Sequence, residues 1–529
     1  MKNRKLIYSL LIVFLISAGC KKSFLERPSL NAPTLDNYYT TPDQVYAATG
    51  FLYNQPWYNY LDKAYHCIGE VLSGNMLTSA GDANYGFNSF VYFTVSSTEG
   101  QLLNAWQSCY KVAGNATVLL NTLQQKKDAT TDAALIAALD QGIAEAKFMR
   151  AAAYFNIARM WGDVPIVTDP VVLASSGNYN VPRYFQHDVL RFILEDLKAA
   201  EIDLPDNPYQ PGRVTKYSAK GMEAKVYLYR GDYDSAAIKA NEVIQSGKYS
   251  LVTDYGAMFT NPANNNNTES LFALQWLGSG GYSYANGIQA YAAPSPLLGP
   301  DFGTGYSSVI PTIDLLNTYE SNDKRKNWSV MQQGFHRDDW KNANFPNGFT
   351  YDTTWLSSSD DPFKIKTGTR TNSLKYVVGP SSTGFTFTTQ GANDMNVYLL
   401  RYADVLLIYA EAILGTSSST SDGAALAAYN AVRSRAGLDD KTSFTKDELL
   451  HERRVEFAFE GDYWFDISRQ GFVKAKTILE SQERGTYDYN GQISHVGVTV
   501  SSADKLFLPI PSSEIIQDPE LNNPAVSYY

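Results

Sequence analysis

The stretch from Leu135 to Met160 limits the fold of this chain more than any other. Leu139, Ile143, Ala146, Met149, Ala153 and Ile157 recur at helical spacing and form one apolar stripe. Alanines at 144, 146, 151, 152 and 153 keep the helix thin, so that neighbouring helices can approach closely. Trp161-Gly162-Asp163-Val164-Pro165 then ends it with a glycine and a proline in the order that stops a helix. Such a segment predicts a fold made by packing helices together.

Other segments repeat the theme. Leu102 to Leu123 and Asp188 to Ala200 have amphipathic spacing, and Ser218 to Arg230, Gly231-Asp232-Tyr233 and Asp234 to Ser246 read as a helical hairpin of tetratricopeptide type. Helices are expected again over Asn396 to Leu414, Asp422 to Arg435 and Thr445 to Gly461, the last with Thr445 as N-cap and Glu448 completing a capping box. Lys505 to Tyr529, with Pro509, Pro511, Pro519 and Pro524, reads as extended chain laid over the body. Residues 261–395 differ. Polar Asn264 to Asn267, Gly278-Ser279-Gly280-Gly281 and the Gly/Pro-rich run from Pro294 to Gly305 imply loops, with short strands at Ser270 to Leu277 and Leu374 to Val378. So long an irregular stretch is not a usual linker, and it is expected to form a lobe on the helical scaffold.

The amino terminus directs the chain to a membrane surface. Lys2, Arg4 and Lys5 precede an apolar run from Leu6 to Ala18. At ~1.5 Å per residue this run reaches only about 20 Å, short of the ~30 Å of a bilayer core, and reads as a signal peptide. Ser17-Ala18-Gly19-Cys20 resembles a bacterial lipobox, which predicts cleavage after residue 19 and lipidation of Cys20. Residues 20–37 then form a tether, followed by a helical region over 38–260, the lobe over 261–395 and a C-terminal region over 396–529. Removing Lys2, Arg4 and Lys5 takes the formal net charge from −10 to −13. That excludes a protein relying on a basic surface for nucleic acid. No HExxH, GxSxG or Walker signature is present. Cys67, Cys109 and five scattered histidines do not suggest zinc, and an oxidising compartment permits either a bridge between the cysteines or two buried thiols. No metal or cofactor is expected.

Four blocks carry a resemblance. They are EAKFMRAAAYFNIARMWGDVP (145–165), YLLRYADVLLIYAEA (398–412), HERRVEFAFEGDYWFDISRQ (451–470) and LFLPIPSSEIIQDPELNNP (506–524). In this order, behind a lipobox, they resemble the SusD/RagB family of outer-membrane nutrient-uptake lipoproteins of Bacteroidetes-type bacteria. The resemblance implies a mostly α fold of about four tetratricopeptide-like helix pairs, with a loop-rich lobe and a few short strands. It implies a cell-surface protein without catalytic activity that binds glycan or another nutrient and works with a SusC-like TonB-dependent outer-membrane transporter. Arg401, Asp404, Glu411, Glu452, Arg453, Arg454, Glu456 and Glu460 alternate in sign among packing residues. Glu456 and Glu460 are like charges one turn apart, so each needs a base on another element. Partly buried ion pairs joining helices are expected, with Arg bidentate to carboxylate.

A neutral sugar offers C–H faces to aromatic rings and hydroxyls to planar polar groups, so its site needs both on loops held by a rigid scaffold. Two stretches fit: Gly81 to Phe93 (GDANYGFNSFVYF), and the lobe over Trp276 to Tyr291 and Trp328 to Trp340. The candidates are Tyr85, Tyr282, Tyr284, Trp328 and Trp340, with Asn84 and Asn88 as polar partners. Trp276 and Trp106 read as packing residues. A peptide-binding protein on the same scaffold, a lid with little affinity of its own and a glycoside hydrolase are the competing readings. The hydrolase would need two facing carboxylates ~5–10 Å apart, which nothing in the sequence marks.

Overall fold

A computed structural model describes residues 38–78, 87–294, 297–298, 305–353, 367–387, 391–488 and 490–529. Helices dominate. α1 (Pro42–Gly50) leads into two long helices, α2 (Gly100–Asp128) and α3 (Ala133–Trp161), followed by α4 (Gln186–Asp203), α5 (Lys216–Arg230) and α6 (Tyr233–Gln245). After the lobe come α7 (Tyr402–Leu414), α8 (Gly423–Arg435), α9 (Lys446–Glu456), α10 (Tyr463–Ser468) and α11 (Phe472–Ser481).

Local chemistry sets the helix ends. Asp132 caps α3 by accepting from the Ala134 and Leu135 amides at 2.9 and 3.1 Å. Thr445 and Glu448 form the expected reciprocal box at the start of α9, at 2.9 and 3.2 Å. α3 is more enclosed than a single stripe predicts. From Ala144 to Trp161 every residue but Lys147 is buried, because α2, α4 and α5 all pack on it.

Consecutive helices stack pairwise from α2 through α6, and α7 packs on α6 although 156 residues separate Gln245 from Tyr402. The lobe is thus an excursion between two adjacent helices of one stack. Its return is tied by a ladder: β2 (Ser270–Leu274) pairs antiparallel with β4 (Val397–Arg401), Ser270 opposite Arg401 and Leu274 opposite Val397. A second ladder joins β1 (Met76–Thr78) to β3 (Val309–Pro311), Thr78 opposite Val309.

Three expectations change. The helix over Asn396 to Leu414 is β4 followed by α7, because a continuously apolar buried run suits either state and the pairing with β2 selects the strand. Leu374 to Val378 is irregular, with Tyr376 at φ +66°, and the nearby strand pair is Asn372–Ser373 with Val330–Met331. The tail over Lys505 to Tyr529 lies over the body but is not wholly extended, since Ser512–Gln517 is helical. Leu508 N donates to Met160 O at 2.8 Å and Val526 N to Arg183 O at 2.9 Å, which fastens the tail to α3 and to the approach to α4. Cys67 and Cys109 are buried free thiols. No helix among the described residues is long and apolar enough to cross a membrane.

Candidate functional site

The charged motif residues form a buried framework. Arg401, the last residue of β4, donates from Nε and Nη2 to the two Glu460 oxygens at 2.7 and 2.8 Å, and from Nη1 to Glu456 at 2.6 Å and Glu269 at 3.2 Å. Arg435 of α8 also pairs with Glu269 and Glu456. Arg325 of the lobe holds Asp323, Glu452 and Glu456 at 2.7, 2.6 and 3.2 Å. A second cluster joins Arg453 to Asp404 and Asp466 at 2.8 Å each, and Lys225 to Asp404 and Asp462 at 2.8 and 2.6 Å. Arg159 of α3 reaches Asp462, and Arg469 clasps Glu411.

Burial alone would raise the Glu456 carboxyl, but the guanidiniums of Arg435, Arg401 and Arg325 hold it well below the ordinary carboxylate range. Lys375 goes the other way. Burial, helped by Arg401, outweighs Glu460 and lowers it to about 8. The expected pairs are therefore present and more buried than "partly". They bind α3, α5, α7, α8, α9 and the lobe together. Glu452, Glu456 and Glu460 are occupied by bases and closed to solvent, which is no arrangement for acid–base chemistry on a substrate. Glu320, His451 and Glu452 come close enough to hold a cation. Yet Arg433 already bonds both glutamates, Arg325 bonds Glu452, and His451 Nε2 donates to Thr318 O at 2.9 Å. These residues do not fit a metal.

The sequence candidates separate into different settings. Trp340 is 0% exposed. Phe335 and Phe349 pack its ring at 5.7 and 6.1 Å and Arg337 lies over it at 5.0 Å, so it is core and not a platform. Trp328 is half-buried, its ring tilted against Tyr255 at 5.6 Å beside the charge framework. Asn84 and Tyr85 lie outside the described residues. Trp276 and Trp106 are buried, in keeping with packing roles.

Tyr282, Tyr284 and Asn88 behave differently. Gly281, at φ +94°, turns the chain where a side chain would be strained, and Tyr282–Tyr284 follows as one short helical turn. Tyr284 O accepts from Leu277 N at 2.8 Å and from Asn54 Nδ2 at 3.2 Å. This backbone clamp leaves the Tyr284 side chain outward, 46% of the residue exposed. Tyr282 is half-buried, edge-on to Tyr58 at 6.0 Å, and its hydroxyl bonds Asp62. Burial raises the Asp62 carboxyl, while Lys63 and the Tyr282 hydroxyl oppose the rise.

A further exposed ring lies on a segment bonded to the same stretch of chain. Tyr306 N donates to Ala290 O at 2.9 Å and Ser308 N to Tyr291 O at 2.7 Å, so residues 305–308 wrap the helical turn Ile288–Ala292 that follows Tyr284. Tyr306 is 51% exposed. Three residues on, Val309 pairs with Thr78, whose hydroxyl donates to Asn88 Oδ1 at 2.8 Å. The β1–β3 ladder thus brings Asn88, from the first candidate stretch, to the end of the lobe that carries Tyr306. Underneath, the Tyr291 hydroxyl meets buried His66 Nδ1 at 3.2 Å. Tyr306 is not among the candidates expected from the sequence. Its neighbours in sequence, Gly303-Thr304-Gly305 and Ser307-Ser308, are all small and offer a large ring no bulky side chain to pack on, which is the available signal.

Comparison with known proteins adds relatives to this geometry. A family model described as "SusD family" matches residues 240–528, and one described as "Starch-binding associating with outer membrane" matches 67–228. A SusD-like protein of Bacteroides ovatus is 31% identical over 570 residues, which cover 100% of this chain and 98% of that protein. SusD-like protein P2 of Formosa agariphila is 25% identical, over 99% of this chain and 100% of its own. A crystal structure with xylogluco-oligosaccharide superposes with a TM-score of 0.79 at 31% identity, covering 92% of this chain and 99% of the other. A laminarin binding SusD-like protein shares the fold, with a TM-score of 0.69 at 24% identity over 90% of this chain and 98% of that one.

Proposed function

The chain belongs to the SusD family, and from that premise we propose that it is a non-catalytic, cell-surface glycan-binding protein of the outer membrane. In this reading it captures an oligosaccharide on the lobe and delivers it to a SusC-like TonB-dependent transporter. The carrying observation is the pair of outward rings, Tyr284 and Tyr306, on loops clamped by backbone hydrogen bonds, with Asn88 brought to the same end. Rings stack on the C–H faces of the sugar while asparagine and tyrosine hydroxyls take its hydroxyl groups. The relative crystallised with xylogluco-oligosaccharide, similar over nearly the whole chain, supports a neutral glycan as ligand. The burial of the motif carboxylates in arginine pairs supports a role without turnover.

The signal peptide and Cys20 support a lipid anchor. Two or three acyl chains at ~0.8 kcal/mol per buried CH₂ make such anchoring stable. The test is affinity electrophoresis in gels containing xyloglucan, laminarin or starch, with Tyr284→Ala/Tyr306→Ala beside the parent. Retardation of the parent by at least one glycan, lost in the double variant, is expected. For the anchor, Cys20→Ala should release the protein from the membrane fraction. For delivery, the transporter should co-purify with the parent from detergent.

A further inference from the structure

A cleft of about 770 Å³ lies outside the lobe. It lies where the C-terminal tail crosses the end of α3 and the start of α4, and none of its described lining residues falls within 261–395. Its volume is that of a small-molecule site, ~300–1,000 Å³. Resting on the glycan reading above, the geometry points to a second carbohydrate-binding site here, centred on Phe507 and independent of Tyr284 and Tyr306.

Three features carry this. Phe507 is 40% exposed and lines the cleft, and its ring lies close to Gly162, where an added Cβ would stand 3.3 Å from its nearest carbons. Glycine at φ +73° both turns the chain and lets the ring approach the backbone, with part of Phe507 left exposed at the cleft. Planar polar groups stand around it: Asp163, Arg183, Gln186 and Asn522. Arg183 donates from Nη2 to Asn523 O at 2.7 Å, which fixes its guanidinium at the cleft wall. Lastly, the charges match in number. Asp163 and Asp504 face Arg183 and Lys505, which favours a ligand without net charge. An exposed ring, planar hydrogen-bonding groups and no net charge are what a neutral sugar requires. The fixed walls favour it too: Asp163 Oδ1 accepts from Gln186 N at 2.8 Å and Trp161 Nε1 donates to Pro509 O at 3.1 Å, so the cleft is preformed.

The test is calorimetric titration of the full chain in detergent with cellotetraose, laminaritetraose and xylogluco-oligosaccharide, separately, and with an Ala-Leu-Ala-Lys tetrapeptide. Four proteins are compared: the parent, Tyr284→Ala/Tyr306→Ala, Phe507→Ala and Phe507→Tyr. For at least one sugar, a binding event should survive in the tyrosine double variant. It should weaken about tenfold or more in Phe507→Ala and persist in Phe507→Tyr, which shows that the ring and not the fold was lost. The inference is overturned if no sugar binding depends on Phe507, including the case where the double variant abolishes all of it and the lobe reading alone stands. It is also overturned if only the peptide binds through Phe507. If Phe507-dependent sugar binding is found and the double variant binds like the parent, the lobe reading fails and this site remains.

Discussion

Arg401 and Tyr284 represent two ways of spending side chains in one molecule. Arg401 is fully enclosed, with carboxylates from α9, from the turn after it and from the lobe closing on one guanidinium. Tyr284 is held only through its backbone, and its ring is left outside. The first arrangement is cooperative: each ion depends on its partners, and withdrawing one leaves another charge buried and unmatched. The second is modular, because removing the ring leaves the clamp intact. The motifs that make the family recognisable therefore describe the framework, whereas the proposed ligand surface uses loop residues outside them. Stability and binding should therefore respond to different substitutions.

The largest effect should follow from breaking the framework. Arg401→Ala leaves Glu456 and Glu460 short of a partner and should cost about 3–5 kcal/mol of stability, read from the denaturant midpoint. The sign with pH follows from Glu456. Its folded value lies below the ordinary 4.5, so its contribution is complete above that pH and is lost as the pH falls further. Trp340→Ala should cost a similar ~3–5 kcal/mol, since it empties a packed core site. If Trp340→Ala folds with parental stability and loses glycan instead, its assignment to the core is wrong.

A smaller effect probes the support beneath the exposed rings. Burial lowers His66 to about 3 against its ordinary 6.5. Between these values the unfolded chain takes up a proton that the folded chain refuses, so stability falls as the pH drops below 6.5. His66→Gln removes this term. Its stability relative to the parent should improve by about 1.4 kcal/mol for each unit of acidification from pH 6.5 to 4.5. A difference that stays flat over that range would mean His66 is solvated or paired when charged.

The smallest stability effects should come from the ligand end. Tyr284→Ala and Tyr306→Ala should each change stability by no more than about 0.5 kcal/mol, as exposed positions do. Each should weaken glycan binding by about 1–2 kcal/mol, the worth of a covered ring. Tyr85→Ala combined with Tyr282→Ala sharpens the boundary of the site. Binding should weaken with the helices intact, and calorimetry that finds it unchanged would remove both residues from the platform.

The helical scaffold was legible because amphipathic helices write a period into the sequence, and caps such as Thr445 with Glu448 mark the ends. β4 was not, because its residues are almost all buried and an apolar run without alternation does not distinguish strand from helix. The ion pairs were foreseeable from like charges a turn apart, but their partners Glu269, Arg325 and Lys375 come from the lobe, far away in sequence. At the proposed ligand end, residue type points to aromatic loops, and Tyr284 is one ring there that is exposed. Residue type could not separate Trp340, whose ring the lobe folds around, from Tyr306, whose loop leaves it out. Exposure is a tertiary property, and it decided both.

Separation of the framework from the proposed ligand surface is read from one paired measurement. Tyr284→Ala/Tyr306→Ala and the parent are compared by affinity electrophoresis against xyloglucan, laminarin and starch, with thermal unfolding recorded on the same samples. Parental unfolding and loss of retardation in every gel that slows the parent are expected. A double variant that unfolds like the parent and is still retarded as strongly would contradict that expectation.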